Sequence, residues 1–403
     1  MKKTTLIALA TSLMLGTTAL AQQKNNFTPQ KALLGAIKQN ITDADAQYKY
    51  MATQIAPLQF PKAYHPETGK METSNSGWWC SGFYPGTLLE IYEQTHDKAL
   101  LTEANRIMGV LAKEQYNTTT HDLGFMMYCS FGNANRLDPK PEYKQILINS
   151  AKSLATRFNP KVGCIKSWES KDPNDFLVII DNMMNLELLF WATRATGDSN
   201  YYKIAVTHAN TTLKNHYRSN HSSYHVVNYN AETGEVKEKR TAQGFAKESS
   251  WARGQAWGLY GYTLMYRETK DEMYLEQARG IAKFILENPN LPADKIPYWD
   301  FDAPNVPNAL RDASAAAITS SALLELCKYV KQAEGETFFN AAETIIKNLS
   351  SPIYKSKTGT NGGFLLQHSV GHFPAGTEID VSLTYADYYF VEAMERYKAF
   401  AKK

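Results

Sequence analysis

The sequence predicts an all-α fold, an (α/α)6 barrel of six helical hairpins closed into a ring, and three observations lead there. Twelve segments read as helices while strands are hard to find. A turn followed by an acid, an aromatic residue and an alanine recurs along the chain. The helices between these repeats open on unusual strings of polar, glycine and aromatic residues. In a ring of alternating inner and outer helices all inner helices run the same way, so those strings would meet at one mouth.

The helical segments run about 30–55, 82–95, 97–115, 122–135, 141–158, 181–197, 199–218, 251–269, 271–288, 311–331, 335–350 and 381–400. Apolar residues three and four apart mark several of them, as at Leu186, Leu189 and Phe190, or Ile281, Phe284 and Ile285. The recurring turn is Thr95-His96-Asp97 ahead of Ala104, Thr196-Gly197-Asp198 with Tyr201 and Ala205, Thr269-Lys270-Asp271 with Tyr274 and Ala278, and Glu334-Gly335-Glu336 with Phe338 and Ala341. Each copy places an acid to cap a helix or to meet the positive end of its dipole. The copies are too irregularly spaced for a solenoid, which leaves the closed ring.

The intervening helices begin at Trp78-Trp79-Cys80-Ser81-Gly82-Phe83-Tyr84-Pro85-Gly86, His121-Asp122-Leu123-Gly124-Phe125, Asp181-Asn182-Met183-Met184-Asn185, Trp251-Ala252-Arg253-Gly254-Gln255-Ala256-Trp257 and Arg311-Asp312-Ala313-Ser314. Their shared mouth would hold free backbone N–H groups, carboxyls, an arginine and several indoles. Such a surface suits an anionic, ring-shaped ligand: helix N-termini and Arg favour a carboxylate, and aromatic faces cover the apolar side of a sugar. The long stretch 219–250, with His225 and Gln243-Gly244-Phe245, predicts a hairpin-like lid or wall. The stretch 289–310, with Trp299-Asp300-Phe301-Asp302, predicts another.

The chain has 403 residues, 43 basic against 40 acidic, and 24 Tyr, 17 Phe and 7 Trp. That is too apolar for disorder, and a net charge of +3 without a basic patch argues against a nucleic-acid partner. Residues 1–21 read as a signal peptide: Lys2 and Lys3 precede an apolar run from Leu6 to Leu20, and Ala19-Leu20-Ala21 offers a cleavage site after Ala21. No Cys follows that run, so no lipid anchor is expected, and no later stretch has the roughly 18 apolar residues of a membrane span. The expectation is a periplasmic protein with one catalytic domain over 22–403, a monomer or weak homodimer. Cys80, Cys129, Cys164 and Cys327 form no metal array and read as buried fillers, with one disulfide left open.

Asp181 reads first as an N-cap. The apolar run Phe176 to Ile180 before it adds a chemical reading, because burial raises a carboxyl's pKa and keeps it protonated as a general acid. Asp122, alone, reads as a cap; paired with Asp181 it becomes the ionised partner of a split pair. Arg253, between Trp251 and Trp257, reads either as a structural stack or as a carboxylate clamp. Asp300, Asp302 and Asp312 read as loop or capping acids. There is no phosphate-binding Gly loop, no GxSxG and no HExxH, so neither metal nor cofactor is expected.

Taken together, the strings at 78–86, 121–125, 181–185, 250–258 and 385–392 resemble the unsaturated glucuronyl hydrolases of glycoside hydrolase family 88 over nearly the whole chain after the leader. That resemblance implies an (α/α)6 barrel acting on lyase-generated oligosaccharides that end in a 4,5-unsaturated uronic acid. It implies hydration rather than glycosidic displacement, with Asp181 protonating C4 and activating the water that adds at C5, and Asp122 staying ionised to orient the sugar. By the same matching His225, Gln243, Arg253 and Trp257 line the subsite, Trp79 or Trp78 and Trp251 stack, and Trp168 and His121 are neighbours. Cys80 departs from the small polar residue expected there. Alternatives are an unsaturated rhamnogalacturonyl hydrolase, disfavoured by Arg253-Gly254-Gln255-Ala256-Trp257 where that family tends to read Arg-Gly-Asn-Gly-Trp, an inverting glycosidase, and a non-catalytic glycan-binding protein. The loop Gln367 to His372, without Lys or Arg, leans towards lightly sulfated or unsulfated glycosaminoglycan fragments.

Overall fold

The computed structural model describes residues 26–402; the expected leader, 1–21, lies outside them. Six outer helices, α1 (Lys31–Gln54), α3 (Lys98–Leu111), α5 (Pro141–Ala155), α7 (Ser199–His216), α9 (Glu272–Leu286) and α11 (Gln332–Leu349), alternate with six inner elements. The inner ones are α2 (Phe83–Thr95), a π-helical stretch Gly124–Gly132 running into α4 (Asn133–Leu137), a 3-10 turn Ile180–Asn185 running into α6 (Leu186–Thr196), α8 (Ala252–Thr269), α10 (Ala313–Leu326) and α12 (Thr384–Ala399). Helix α12 packs on α10, α2 and α1, which closes the ring. This is the (α/α)6 barrel the sequence predicts.

Burial separates the two rings. Every residue of α10, and every residue of α8 from Ala252 to Tyr266, is buried, as a helix surrounded on all sides must be. Outer α9 buries a stripe, Tyr274, Leu275, Ala278, Ile281, Ala282 and Ile285 among it. Three outer helices begin as their acids predict: Asp97 accepts from the Ala99 N–H (2.8 Å), Asp198 from Asn200 (2.9 Å) and Asp271 from Met273 (3.0 Å). The fourth repeat differs. Because α11 starts at Gln332, Glu334 lies within its first turn and takes Arg279 at 2.9 Å instead of capping.

Strands are more numerous than the sequence suggests. Hairpin β1 (Phe60–His65) and β2 (Lys70–Ser74) pairs with β8 (Ser382–Leu383), and β3 (Phe158–Asn159) with β4 (Cys164–Ile165). The apolar run before Asp181 is β5 (Asp175–Ile179), which pairs antiparallel with β6 (Val226–Asn230), itself paired with β7 (Val236–Arg240). The 219–250 stretch is thus a hairpin wall, stitched to the strand that delivers Asp181. The segment expected as a helix over 122–135 is π-helical over Gly124–Gly132, a form that often marks functional sites, and α-helical only from Asn133. Gly82 lets it come close: a Cβ there would sit 2.2 Å from the carbonyl oxygens of Phe125 and Met126. Cys80, Cys129 and Cys164 are free thiols, and Cys80, Cys164 and Cys327 are buried.

Candidate active site

The inner N-termini do meet at one mouth. Trp79, just before α2, faces Phe125 (ring centroids 5.5 Å) and Tyr385 of α12 (5.0 Å), and Phe125 faces Trp257 of α8 (5.0 Å). These four rings come from four inner elements and form the aromatic floor. The indole doublet is resolved by direction. Trp79 points into the barrel, whereas Trp78 is 44% exposed with the Lys62 ammonium 5.0 Å from its ring. Tyr385 opens the 385–392 string of the family resemblance but is not singled out there as a site residue.

Asp181 sits in the 3-10 turn that continues β5, and it does not cap: the Ile179 N-cap makes no side-chain cap bond, and Asp181 Oδ2 is buried without a hydrogen-bond partner. Its position is set from the sheet, where the Ile180 N–H donates to the His225 carbonyl (3.0 Å). His225 Nδ1 accepts from the Ala242 and Gln243 N–H groups (3.1 and 3.2 Å), so the ring proton resides on Nε2, which lies 3.6 Å from Asp181 Oδ2. Burial, reinforced by the Arg253 charge, holds His225 neutral, well below the usual imidazole range.

Asp122 is better supplied with donors. Asn185 Nδ2 reaches its Oδ1 and Thr120 its Oδ2, both at 3.4 Å, and His121 Nε2 lies 3.2 Å from Oδ1. Asn185 in turn takes the Phe125 N–H on its own Oδ1 (2.9 Å), tying the two carboxyl-bearing segments together. Burial pushes His121 down to about 3, so it too is neutral. Both carboxyls are raised to about 7, chiefly by desolvation: at Asp181 the Arg253 charge opposes the rise and the Asp122 charge adds to it, and at Asp122 Asn185, Thr120 and the Arg157 charge oppose it. Two such carboxyls at one mouth titrate as a pair near 7, and Asp181 is the member with fewer geometric hydrogen bonds.

Arg253 departs from the clamp expectation. Its Nη1 engages Asp312 (3.3 Å) and the Val370 carbonyl, and its Nη2 engages Gln243 Oε1 (2.8 Å) and the Gly371 carbonyl (2.6 Å). With both terminal nitrogens taken, Arg253 pins α8, α10, the hairpin wall and the loop at 370–371 together. Trp251 is a spacer rather than an open stacking wall: it is 2% exposed, with its ring 4.5 Å from His225 on one contact and 4.5 Å from the Arg253 guanidinium on another. Trp168 meets His225 edge-on (5.6 Å). Asp312 caps α10, accepting from Ser314 (3.0 Å), and Asp300 is a buried loop fastener holding the Phe245 N–H (2.9 Å) and Ser249 (2.8 Å) rather than a solvated acid.

Four buried polar atoms at the mouth have no hydrogen-bond partner: Asp181 Oδ2, His225 Nε2, His121 Nε2 and Trp257 Nε1. Buried polar groups are otherwise nearly always satisfied, so a convergent set marks where a polar ligand completes the bonding. Among the described residues no group of three or more His, Cys, Asp or Glu is placed to hold a metal ion.

A barrel mouth with two buried, unequal carboxyls and an aromatic floor defines a glycoside-hydrolase-type site. Residues 48–285 match Glycosyl Hydrolase Family 88. An unsaturated glucuronyl hydrolase of Formosa agariphila is 49% identical over 320 residues, 79% of each chain. A solved unsaturated glucuronyl hydrolase described as specific for heparin superposes with a TM-score of 0.88 at 47% identity, covering 92% of this chain and 98% of that one. A variant of the unsaturated glucuronyl hydrolase of Streptococcus agalactiae, solved with dGlcA-GalNAc6S, gives a TM-score of 0.77 at 29% identity, covering 89% and 90%. The chain belongs to glycoside hydrolase family 88.

Proposed function

We propose that the protein releases the 4,5-unsaturated glucuronic acid at the non-reducing end of lyase-generated glycosaminoglycan oligosaccharides, by hydrating the enol ether double bond. The observation that carries this is the buried carboxyl pair with unequal hydrogen-bond supply, surrounded by orphaned donors. Asp181, protonated, gives its proton to C4, and positive charge develops at C5 and the ring oxygen. Asp122, ionised, stabilises that charge, and the Asp181 carboxylate accepts a proton from the water that adds at C5. The resulting hemiketal opens, and the hemiacetal so formed at C1 releases the second sugar. Neutral His225 turns its Nε2–H towards Asp181, the unpartnered Trp257 Nε1–H is left for the sugar, and Trp79 and Tyr385 provide ring faces for it. No step needs a cofactor.

The similar proteins support the substrate class by their names and by the unsaturated disaccharide in one of the structures. Purified protein should remove the ultraviolet absorbance of the double bond from unsaturated chondroitin and heparin disaccharides. Retention of that absorbance while the sugars separate would assign ordinary glycosidic hydrolysis, and no turnover of any unsaturated disaccharide would remove the reading. Pectin-derived unsaturated rhamnogalacturonyl disaccharides belong in the same panel. The leader, with its Lys pair, apolar run and Ala19-Leu20-Ala21, supports a periplasmic site of action, and a monomer or weak homodimer is part of the same proposal. N-terminal sequencing of the exported protein should begin at Gln22, and sedimentation reads the oligomeric state.

A further inference from the structure

We propose that the opposite end of the barrel holds a second site, for a small organic cation: a protonated amine on a body that aromatic rings can cover. A cavity of about 510 Å³ runs there between the π-helical stretch and the inner helices α2, α4, α6, α8 and α12, reaching as far as the underside of the mouth floor at Phe125. Glu90 of α2 lines it, is 3% exposed, and keeps Oε2 buried without a hydrogen-bond partner. Glu395 of α12 also lines it with an unpartnered Oε1.

The cations already present are occupied elsewhere. Arg136 makes a two-point contact with Glu93 (2.9 and 2.7 Å), and Arg396 is shared among Glu392 (3.0 Å), Glu325 (3.0 Å), the Tyr260 hydroxyl (2.6 Å) and the Ser321 carbonyl (3.0 Å). What the cavity lacks is a positive partner for Glu90. An orphaned buried carboxyl is costly unless paired, and the other walls, Tyr128, Trp191, Tyr260 and Tyr389, present rings that attract a cation and cover an apolar or sugar body. The absence of a metal-holding group among the described residues favours an organic ammonium over a metal ion. Burial, with Glu395 and Glu392 beside it and Arg136 and Arg396 opposing, holds the Glu90 carboxyl well above its ordinary range. An amine docking there displaces that proton.

The test is calorimetric titration of the whole protein with putrescine and with glucosamine, against glucose and sodium chloride at matched ionic strength. Binding of either amine, with protons released to buffer and with glucose silent, supports the site; which amine binds separates an alkyl amine from an amino sugar. Glu90→Gln should weaken that binding at least about tenfold and Trp191→Ala severalfold, each with an unchanged circular dichroism spectrum, while Asp181→Asn at the mouth leaves it unchanged. The proposal is overturned if neither amine binds, if glucose binds as well as they do, or if Glu90→Gln binds like wild type. Should Glu90→Gln fail to fold, undiminished binding by Trp191→Ala overturns it equally.

Discussion

The outer and inner helices begin in opposite ways. Outer α3, α7 and α9 open on Asp97, Asp198 and Asp271, each spending its carboxylate on a backbone N–H of its own first turn. Among the inner elements only α10 is capped by a side chain, from Asp312; the others start at Gly82, Leu123, Ile179, Trp251 and Leu383 with no side-chain cap bond. The same residue type therefore does different work on the two rings. On the outside each Asp is spent on its own helix start, Asp97 also taking Lys49 of α1 at 2.7 Å. At the mouth Asp122 and Asp181 are buried and cap no helix: Asn185 reaches the one and the hairpin wall, through His225, borders the other.

The sharpest way to break this contrast is Asp181→Asn, which should lower kcat/KM by about 10²- to 10⁴-fold, the usual contribution of a general acid, with the fold intact. Asp122→Asn should cost a comparable factor, and in its residual activity the basic limb should move to lower pH, because the charge that raises Asp181 is gone. Unchanged turnover in either variant would make the inner acids as structural as the outer ones.

Next in size is Arg253→Ala. It leaves Asp312, fully buried, without its cation, so a loss of about 3–5 kcal/mol in denaturant stability is expected, together with disordered positioning of Gln243 and the 370–371 loop. A pure rise in KM at unchanged stability would restore the clamp reading.

pH separates the rings as well. The folded-state pKa of Asp181 and of Asp122 lies near 7, above the unfolded value of 3.8. A raised pKa means stability that is complete below the unfolded value and is lost as pH climbs through the folded one. Activity should therefore fall as pH rises past about 7, when the acid ionises, and Asp181→Asn should gain stability over wild type progressively from pH about 4 to 7, by up to a few kcal/mol. Thermal melts across that range check it; a constant difference would place the Asp181 carboxyl in an ordinary aqueous setting. The smallest effect is Asp271→Ala on the outer ring, about 1 kcal/mol of stability with kinetics unchanged.

Much of the barrel was legible because its signals are local. Helical periodicity, acid caps and glycine-aromatic strings lie within a few residues of what they specify, and the ring of twelve followed from their alternation. The β6–β7 hairpin is local and was legible as a hairpin-like wall, whereas β5 was not legible as a strand, because its hydrogen bonds come from β6, some fifty residues further along the chain. Asp122, Asp181, His225, Gln243 and Trp257 were likewise legible as members of strings or loops, but their relations were not.

What the sequence determined by itself is the helical architecture, the family and the residue types at the mouth, since covalent neighbours and periodicity carry that information. The tertiary structure alone decided which of Trp78 and Trp79 turns inward, that Arg253 is consumed by backbone carbonyls and Asp312, that His225 keeps its proton on Nε2, and that Asp181 has fewer donors than Asp122. Each of these depends on burial and on hydrogen bonds between distant segments, and protonation follows that environment rather than the order of residues along the chain.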